Sequence, residues 1–194
     1  MDPTFGYYYW DATRDTGYGG YRYDGRWRPI AEDVIRRYGL QPGDRVLDIG
    51  CGKGYFLASL LEVEPRMHVC GIDISSYAIE QAHPSVRPFV SLGSADDLSR
   101  FADRSFDFVC AMNSIHFLPA DRAEVALREL MRVGKPGRYF VHVDAYRNEI
   151  ERERLLAWAP IIKTVYSVED WLELFDKLGY DGDYYWTIVQ PSQR

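Results

Sequence analysis

From Pro29 onward the chain alternates between two kinds of hydrophobic pattern, and that alternation limits its fold more than any other feature. Short apolar runs read as strands: RVLDIG at 45–50, HVCGID at 68–73, PFVSLG at 88–93, FDFVCAM at 106–112, RYFVHVD at 138–144 and YYWTIVQ at 184–190. Stretches of helical period separate them: PIAEDVIRRYG at 29–39, YFLASLLEVE at 55–64, SSYAIEQAH at 75–83, PADRAEVALRELMRV at 119–133 and SVEDWLELFDKLG at 167–179. Pro29 suits a first helical position, Gly39 and Gly179 suit helix ends, and Ser167 with Asp170 predicts a capping box. Strands alternating with helices require a parallel sheet, right-handed crossovers and helices on both faces. The expected fold is therefore α/β: a doubly wound, Rossmann-like, mostly parallel sheet of about six strands. The expected organisation is one domain over residues 1–194, with an N-terminal segment at 1–28 and the core at 29–194. The last strand is expected at an edge or beside the fifth.

Such sheets bind ligands beyond the carboxyl ends of their strands. The first strand runs into VLDIGCGKG, where Gly50, Gly52 and Gly54 let the backbone bend sharply and approach a ligand closely. The second strand ends in GIDIS. Its Asp73 lies 21 residues beyond Gly52, where a carboxylate can accept hydrogen bonds from ribose hydroxyls. Ile74 follows, placed to cover a purine face. A dinucleotide fingerprint would need a glycine where this chain has Tyr55. Asp48, two positions before Gly50, is poor company for a pyrophosphate and suits a cofactor carrying an ammonium group.

Composition removes other classes. The net charge of −6 argues against binding nucleic acid by phosphate neutralisation. No run of 18 apolar residues exists, so no membrane span is expected, and the start MDPTFGYYYW has no signal-peptide pattern. Cys51, Cys70 and Cys110 sit in or beside apolar runs and are expected to be reduced, which places the protein in the cytoplasm. No Cys and His spacing reads as a zinc site, and no metal is expected.

The ordered set VLDIGCGKG, GIDIS, GSADDL, SFDFVCAMNSIHFL and LRELMRVGKPGRYFVHVD resembles the motifs of class I S-adenosylmethionine-dependent methyltransferases. The likeness covers roughly residues 29–180, and GYGGYRYDGRW is similar to the N-terminal region of some small bacterial members. It implies S-adenosylmethionine as cofactor, with Gly50 and Gly52 facing its methionine part, Asp48 holding its ammonium group and Asp73 taking its ribose diol. It also implies that Ala95 and Asp96 lie beside the adenine, and that the Met112 and Asn113 backbone lines the methionine moiety. Many relatives carry an Asp where this chain has Ser94. Relatives also finish with two strands after the last helix, whereas the dozen or so residues after Gly179 suffice for one.

Methyl transfer from a sulfonium needs alignment, exclusion of water and a deprotonated acceptor rather than an enzyme nucleophile. His116, just past the fourth strand, is the first candidate base; a packing histidine is the alternative. Asp144 ends the fifth strand and is the candidate for orienting a cationic or hydroxyl-bearing acceptor. The Asn/Asp-Pro-Pro-aromatic mark of base and glutamine methylation is absent, as is the Asp-Asn pair that binds magnesium in catechol-type enzymes. A small polar metabolite, methylated on oxygen or nitrogen, is the expected acceptor. Two alternatives stay open: a nicotinamide-dependent oxidoreductase on a similar sheet, and a non-catalytic cofactor-binding partner protein.

The stretch from Phe5 to Trp27 carries nine aromatic residues and five glycines in 23 positions. It is expected to fold back over the strand ends as an aromatic lid. Tyr18 is assigned to the cofactor side, and Arg26, in preference to Arg22, to the cofactor carboxylate.

Overall fold

The computed structural model describes residues 3–15 and 17–191. Six strands form one sheet in the order β3-β2-β1-β4-β5-β6, and every pairing is parallel. They are β1 (Arg45–Ile49), β2 (His68–Asp73), β3 (Val90–Leu92), β4 (Phe108–Met112), β5 (Tyr139–Asp144) and β6 (Asp183–Thr187). The final strand lies both at an edge and beside β5. Strand order reverses about β1, which has β2 on one side and β4 on the other. The ends of β1 and β4 therefore open the crevice where ligands of such sheets bind.

The period of two along each strand sorts residues between two cores. Leu47, Ile49, Val109 and Ala111 face α5 (Ala120–Val133) and α7 (Val168–Leu178), packing with Leu127, Leu130, Trp171 and Phe175. Val46, Phe108 and Cys110 face α2 (Trp27–Tyr38) and α3 (Tyr55–Val63), packing with Val34, Tyr38, Phe56 and Leu60. Ser167 and Asp170 form the expected capping box at the start of α7, and Gly179 ends it in a left-handed conformation. The crossover after β2 holds a shorter helix than its sequence suggests, α4 (Ser76–Glu80). A helix with no clear sequence signal, α6 (Glu149–Trp158), follows β5 and starts on the Asn148 side chain.

The N-terminal segment docks at the carboxyl ends of the strands. Its short helix α1 (Tyr7–Trp10) is followed by a return limb held by Tyr18 N–H to Tyr9 O at 2.7 Å and Tyr21 N–H to Trp10 O at 2.8 Å. A Cβ on Gly17 would lie 2.5 Å from Tyr9 Cα, so only glycine allows this approach. Trp10 and Tyr21 are buried with Tyr55 and Ala78 of the core. One polar clamp accompanies them: buried Lys53 donates to Asp11 Oδ1 at 2.5 Å, and Tyr77 Oη–H donates to Asp11 Oδ2 at 2.7 Å.

Breaking a buried pair by removing one partner strands the other charge. Asp11 is partly exposed, so Asp11→Ala should cost about 1–3 kcal/mol, below the ~3–5 kcal/mol of a fully buried pair. Asp11→Ala with Lys53→Met should recover most of that loss. Urea midpoints of the two variants check this; equal loss in both would show that Lys53 does not depend on Asp11.

Candidate active site

A cleft of about 110 Å³ opens at the strand carboxyl ends. Its wall includes Gly50 after β1, Asp73 and Ile74 after β2, Gly93 to Ala95 after β3, and Asn113 and Ser114 after β4. Phe5, Tyr9 and Trp10 close it from the N-terminal segment, and Phe117, Leu118 and Lys163 complete it.

The turn after β1 is set by backbone contacts. Gly50 and Cys51 N–H both donate to Ile72 O, at 2.8 and 2.9 Å. Gly50 has φ of 78°, and a Cβ there would lie 2.2 Å from Ser114 Cβ. Only glycine brings the ends of β1 and β4 this close. Asp73 then pins the turn: Oδ2 accepts Gly52 N–H at 2.7 Å and Oδ1 accepts Ser75 N–H at 2.8 Å. Ser75 ties the same hub to the N-terminal segment. Its Oγ accepts Trp10 Nε1–H at 3.0 Å and its hydroxyl donates to Phe5 O at 2.5 Å.

Asp48 is buried below the turn, where Cys110 Sγ–H donates to Oδ1 at 3.5 Å. Burial, aided by the nearby Asp73 charge, pushes its carboxyl up to about 7. Burial also raises Asp73 above the usual carboxylate range, against three backbone hydrogen bonds that lower it. Asp144 is pushed up to about 6 by burial. Asp73 is the one carboxyl on the cleft wall; Asp48 and Asp144 are buried behind it, and burial disfavours the anion of all three.

Several expected site residues lie elsewhere than on the cleft wall. His116 is sealed from solvent and burial lowers it to about 3, so its imidazole is neutral. Its Nδ1 accepts Asp144 N–H at 3.4 Å, which leaves the proton on Nε2, 3.6 Å from Asp144 Oδ2. Nε2 has no hydrogen-bond partner among the described residues. Both ring nitrogens point at Asp144, so His116 does not present a base to the cleft. Arg26 is held on the surface by Asp24, with Nε to Oδ1 at 2.8 Å, and is not on the cleft wall. Tyr18 packs on Trp10 and Tyr21, with centroids 6.3 and 4.8 Å away, rather than lining the cleft. Asp96 is spent on Arg122 and on the Ser94 hydroxyl, which leaves Ser94 and Ala95 as the rim. Gly54 faces Val86 and the core, and Gly52 lies under the Trp10 ring. Sequence reasoning missed Ser75, Ser114, Phe117, Leu118 and Lys163. The serine of GIDIS was the one available signal among them.

Among the described residues, no cluster of His, Cys, Asp and Glu could hold a metal, and no helix is long and apolar enough to cross a membrane.

The comparisons agree with this architecture. Residues 47–142 match the model of a methyltransferase domain family. A fatty-acid O-methyltransferase of Mycolicibacterium smegmatis is 35% identical over 150 residues, which cover 69% of this chain and 54% of that protein. A demethylmenaquinone methyltransferase of Symbiobacterium thermophilum is 33% identical over 132 residues, covering 62% of this chain and 50% of that protein. The chain spans about half the length of the curated relatives it matches. The YcgJ protein of Bacillus subtilis has the same fold, with a TM-score of 0.63 at 22% identity over 80% of this chain and 68% of that one. With the glycine turn, the acidic end of β2 and the parallel sheet all in place, the chain belongs to the class I S-adenosylmethionine-dependent methyltransferases.

Proposed function

We propose that the protein transfers a methyl group from S-adenosylmethionine to a small molecule with an apolar body. The observation that carries this reading is the Asp73 hub on the wall of the cleft at the strand carboxyl ends. Its carboxylate takes three backbone hydrogen bonds and keeps acceptor capacity for a ribose hydroxyl. Ile74, exposed at the rim, and Gly93 to Ala95 offer an apolar slot for a purine. Asp48 lies deeper, and an ammonium group beside it relieves the charge that burial now disfavours. A donor set of this sign fits a ligand carrying both an ammonium and a sulfonium.

When bound, the cofactor supplies an electrophilic methyl group. The chain's own residues orient it and exclude water. Phe5, Tyr9 and Trp10 narrow the cleft, and on this reading the N-terminal segment shifts when a nucleoside-sized ligand enters. His116 is a positioning residue that steadies Asp144 at the end of β5. On the acceptor side the wall is Phe5, Tyr9, Phe117 and Leu118, which favours an apolar body over the wholly polar metabolite expected from sequence. The fatty-acid and demethylmenaquinone enzymes named above, by their names, act on molecules with apolar bodies too.

S-adenosylhomocysteine should bind, and NADH should leave the melting temperature unchanged. Asp73→Asn should weaken S-adenosylhomocysteine by about 10- to 100-fold, because a charged acceptor contributes roughly 1.5–3 kcal/mol per hydrogen bond. Asp73 also pins two loops, so calorimetry is read below the melting transition of the variant. Equal affinities in the two proteins would remove Asp73 from the site.

Asp48 gives a second test. Its folded-state value lies above its unfolded one, so the fold favours the neutral form. Stability therefore falls as pH rises from about 4 to about 7 and stays lower above that. Asp48→Asn should raise stability at pH 8 by on the order of 2–4 kcal/mol, with almost no gain at pH 4. The same variant should bind S-adenosylhomocysteine more weakly at pH 8. Denaturant midpoints at the two pH values check the sign; destabilisation at pH 8 would mean that the Asp48 charge already has a partner.

A further inference from the structure

The acceptor side of the cleft combines an aromatic wall with one uncommitted cation. Of the four lysines, Lys53, Lys135 and Lys177 are tied to Asp11, Asp107 and Glu124. Lys163 forms no ion pair among the described residues, and it is the only Lys, Arg or His on the cleft wall. Its place is fixed by the backbone. Lys163 and Thr164 N–H both donate to His116 O, at 3.1 and 3.0 Å, and Thr164 Oγ1–H donates to Leu118 O at 2.7 Å. The loop that carries the ammonium group is thereby fastened to the segment that carries Phe117 and Leu118. Beside it, Phe5 and Tyr9 pack edge-to-face at 5.0 Å, and Phe117 lies 5.6 Å from Phe5 and 6.4 Å from Tyr9.

The site also lacks a group fit to remove a proton from an acceptor. His116 turns both nitrogens to Asp144. His142 shares its Nε2 with Thr187 Oγ1 at 2.7 Å. Tyr9 faces the cleft, but burial raises its hydroxyl far above the neutral range, which leaves it a donor. Asp144 is off the cleft wall, against His116. An acceptor that arrives already deprotonated needs none of these.

We propose that the acceptor is an amphipathic carboxylate methylated on its own carboxylate oxygen, with Lys163 holding the headgroup and the Phe5–Tyr9–Phe117 rings holding its apolar body. This rests on the methyl-transfer reading above. In the step, a lone pair of one carboxylate oxygen forms the new C–O bond to the methyl carbon. The C–S bond breaks and its electron pair goes to sulfur. The sulfonium and carboxylate charges cancel, the products are a neutral methyl ester and a thioether, and no proton moves. Lys163 binds the second oxygen through a charge-assisted hydrogen bond that weakens once the ester forms, which favours release.

The test uses hexanoic, decanoic, hexadecanoic and 4-phenylbutyric acids, each beside the alcohol and amine of the same skeleton, with methyl-labelled donor. At least one acid should yield base-labile methyl ester, and the alcohols and amines should yield no labelled product. With the methyl donor saturating, its rate should be flat from pH 6.5 to 9. Lys163→Gln should raise KM for that acid about 10-fold or more with a smaller change in kcat, and Lys163→Arg should restore part of the affinity. Label in an alcohol or amine, no ester from any acid, or an unchanged KM in Lys163→Gln would overturn the assignment. S-adenosylhomocysteine calorimetry on the parent separates the two readings. Binding without ester formation sinks only the carboxylate proposal, whereas no binding sinks the methyl-transfer reading itself.

Discussion

One carboxylate organises the ligand-facing end of this molecule. Asp73 accepts a backbone N–H from the glycine turn after β1 and another from the loop after β2, at 2.7 and 2.8 Å. Hydrogen bonds to a charged acceptor are worth about twice neutral ones, and these two join the turn after β1 to the loop after β2. Ser75 extends the junction by taking the Trp10 indole N–H and reaching the Phe5 carbonyl. The glycine turn, the rim of the cleft after β2 and the N-terminal segment are therefore located by one pair of nearby residues. Position at the hub matters more than strength. Burial works against the Asp73 charge, and three backbone donors work for it.

The sheet was legible because strand and helix periods differ, and each strand sorts its own residues between the two cores. Val46 and Leu47 lie in different cores although they are adjacent in sequence. Helix α6 was not legible because Glu151 and Leu155 are its buried residues, so its apolar stripe is too narrow to register as a period. At the site, residues whose place is fixed by strand ends were legible: Gly50, Asp73, Ile74, Ala95 and Asn113 all line the cleft. Residues whose role depends on rotamer or docking were not. The position of His116 one turn past β4 was read well enough, but nothing in the sequence says that its ring turns inward to the Asp144 backbone. Arg26 shows the same limit, since a local partner two residues away, Asp24, claims its guanidinium.

Lys163 was invisible for a related reason. It sits in an apolar-flanked loop with no motif around it, and it reaches the cleft because two N–H groups of that loop bond to His116 O. The histidine thus contributes more through its backbone carbonyl than a reading of its imidazole allowed. It anchors the loop through its main chain while its ring braces β5.

The buried charges behind the cleft set folding against the proposed binding. Asp48 and Asp144 are held in surroundings that favour their neutral forms, at about 7 and about 6. A fold selected for stability alone would replace such groups with neutral isosteres, because an unpaired buried charge is costly. Their presence is understandable if the opposing charge arrives with a ligand. The same reasoning bears on the N-terminal segment. Trp10 rests against Gly52, where an added Cβ would come within 2.9 Å of the ring, so the segment and a ligand compete for the space above the turn. A ligand displaces Trp10 only to the extent that it binds the shifted arrangement more tightly than the closed one. On the proposed reading, an ammonium group beside Asp48 would supply that difference, because it would lower the energy of a carboxylate that the closed arrangement leaves without a cation.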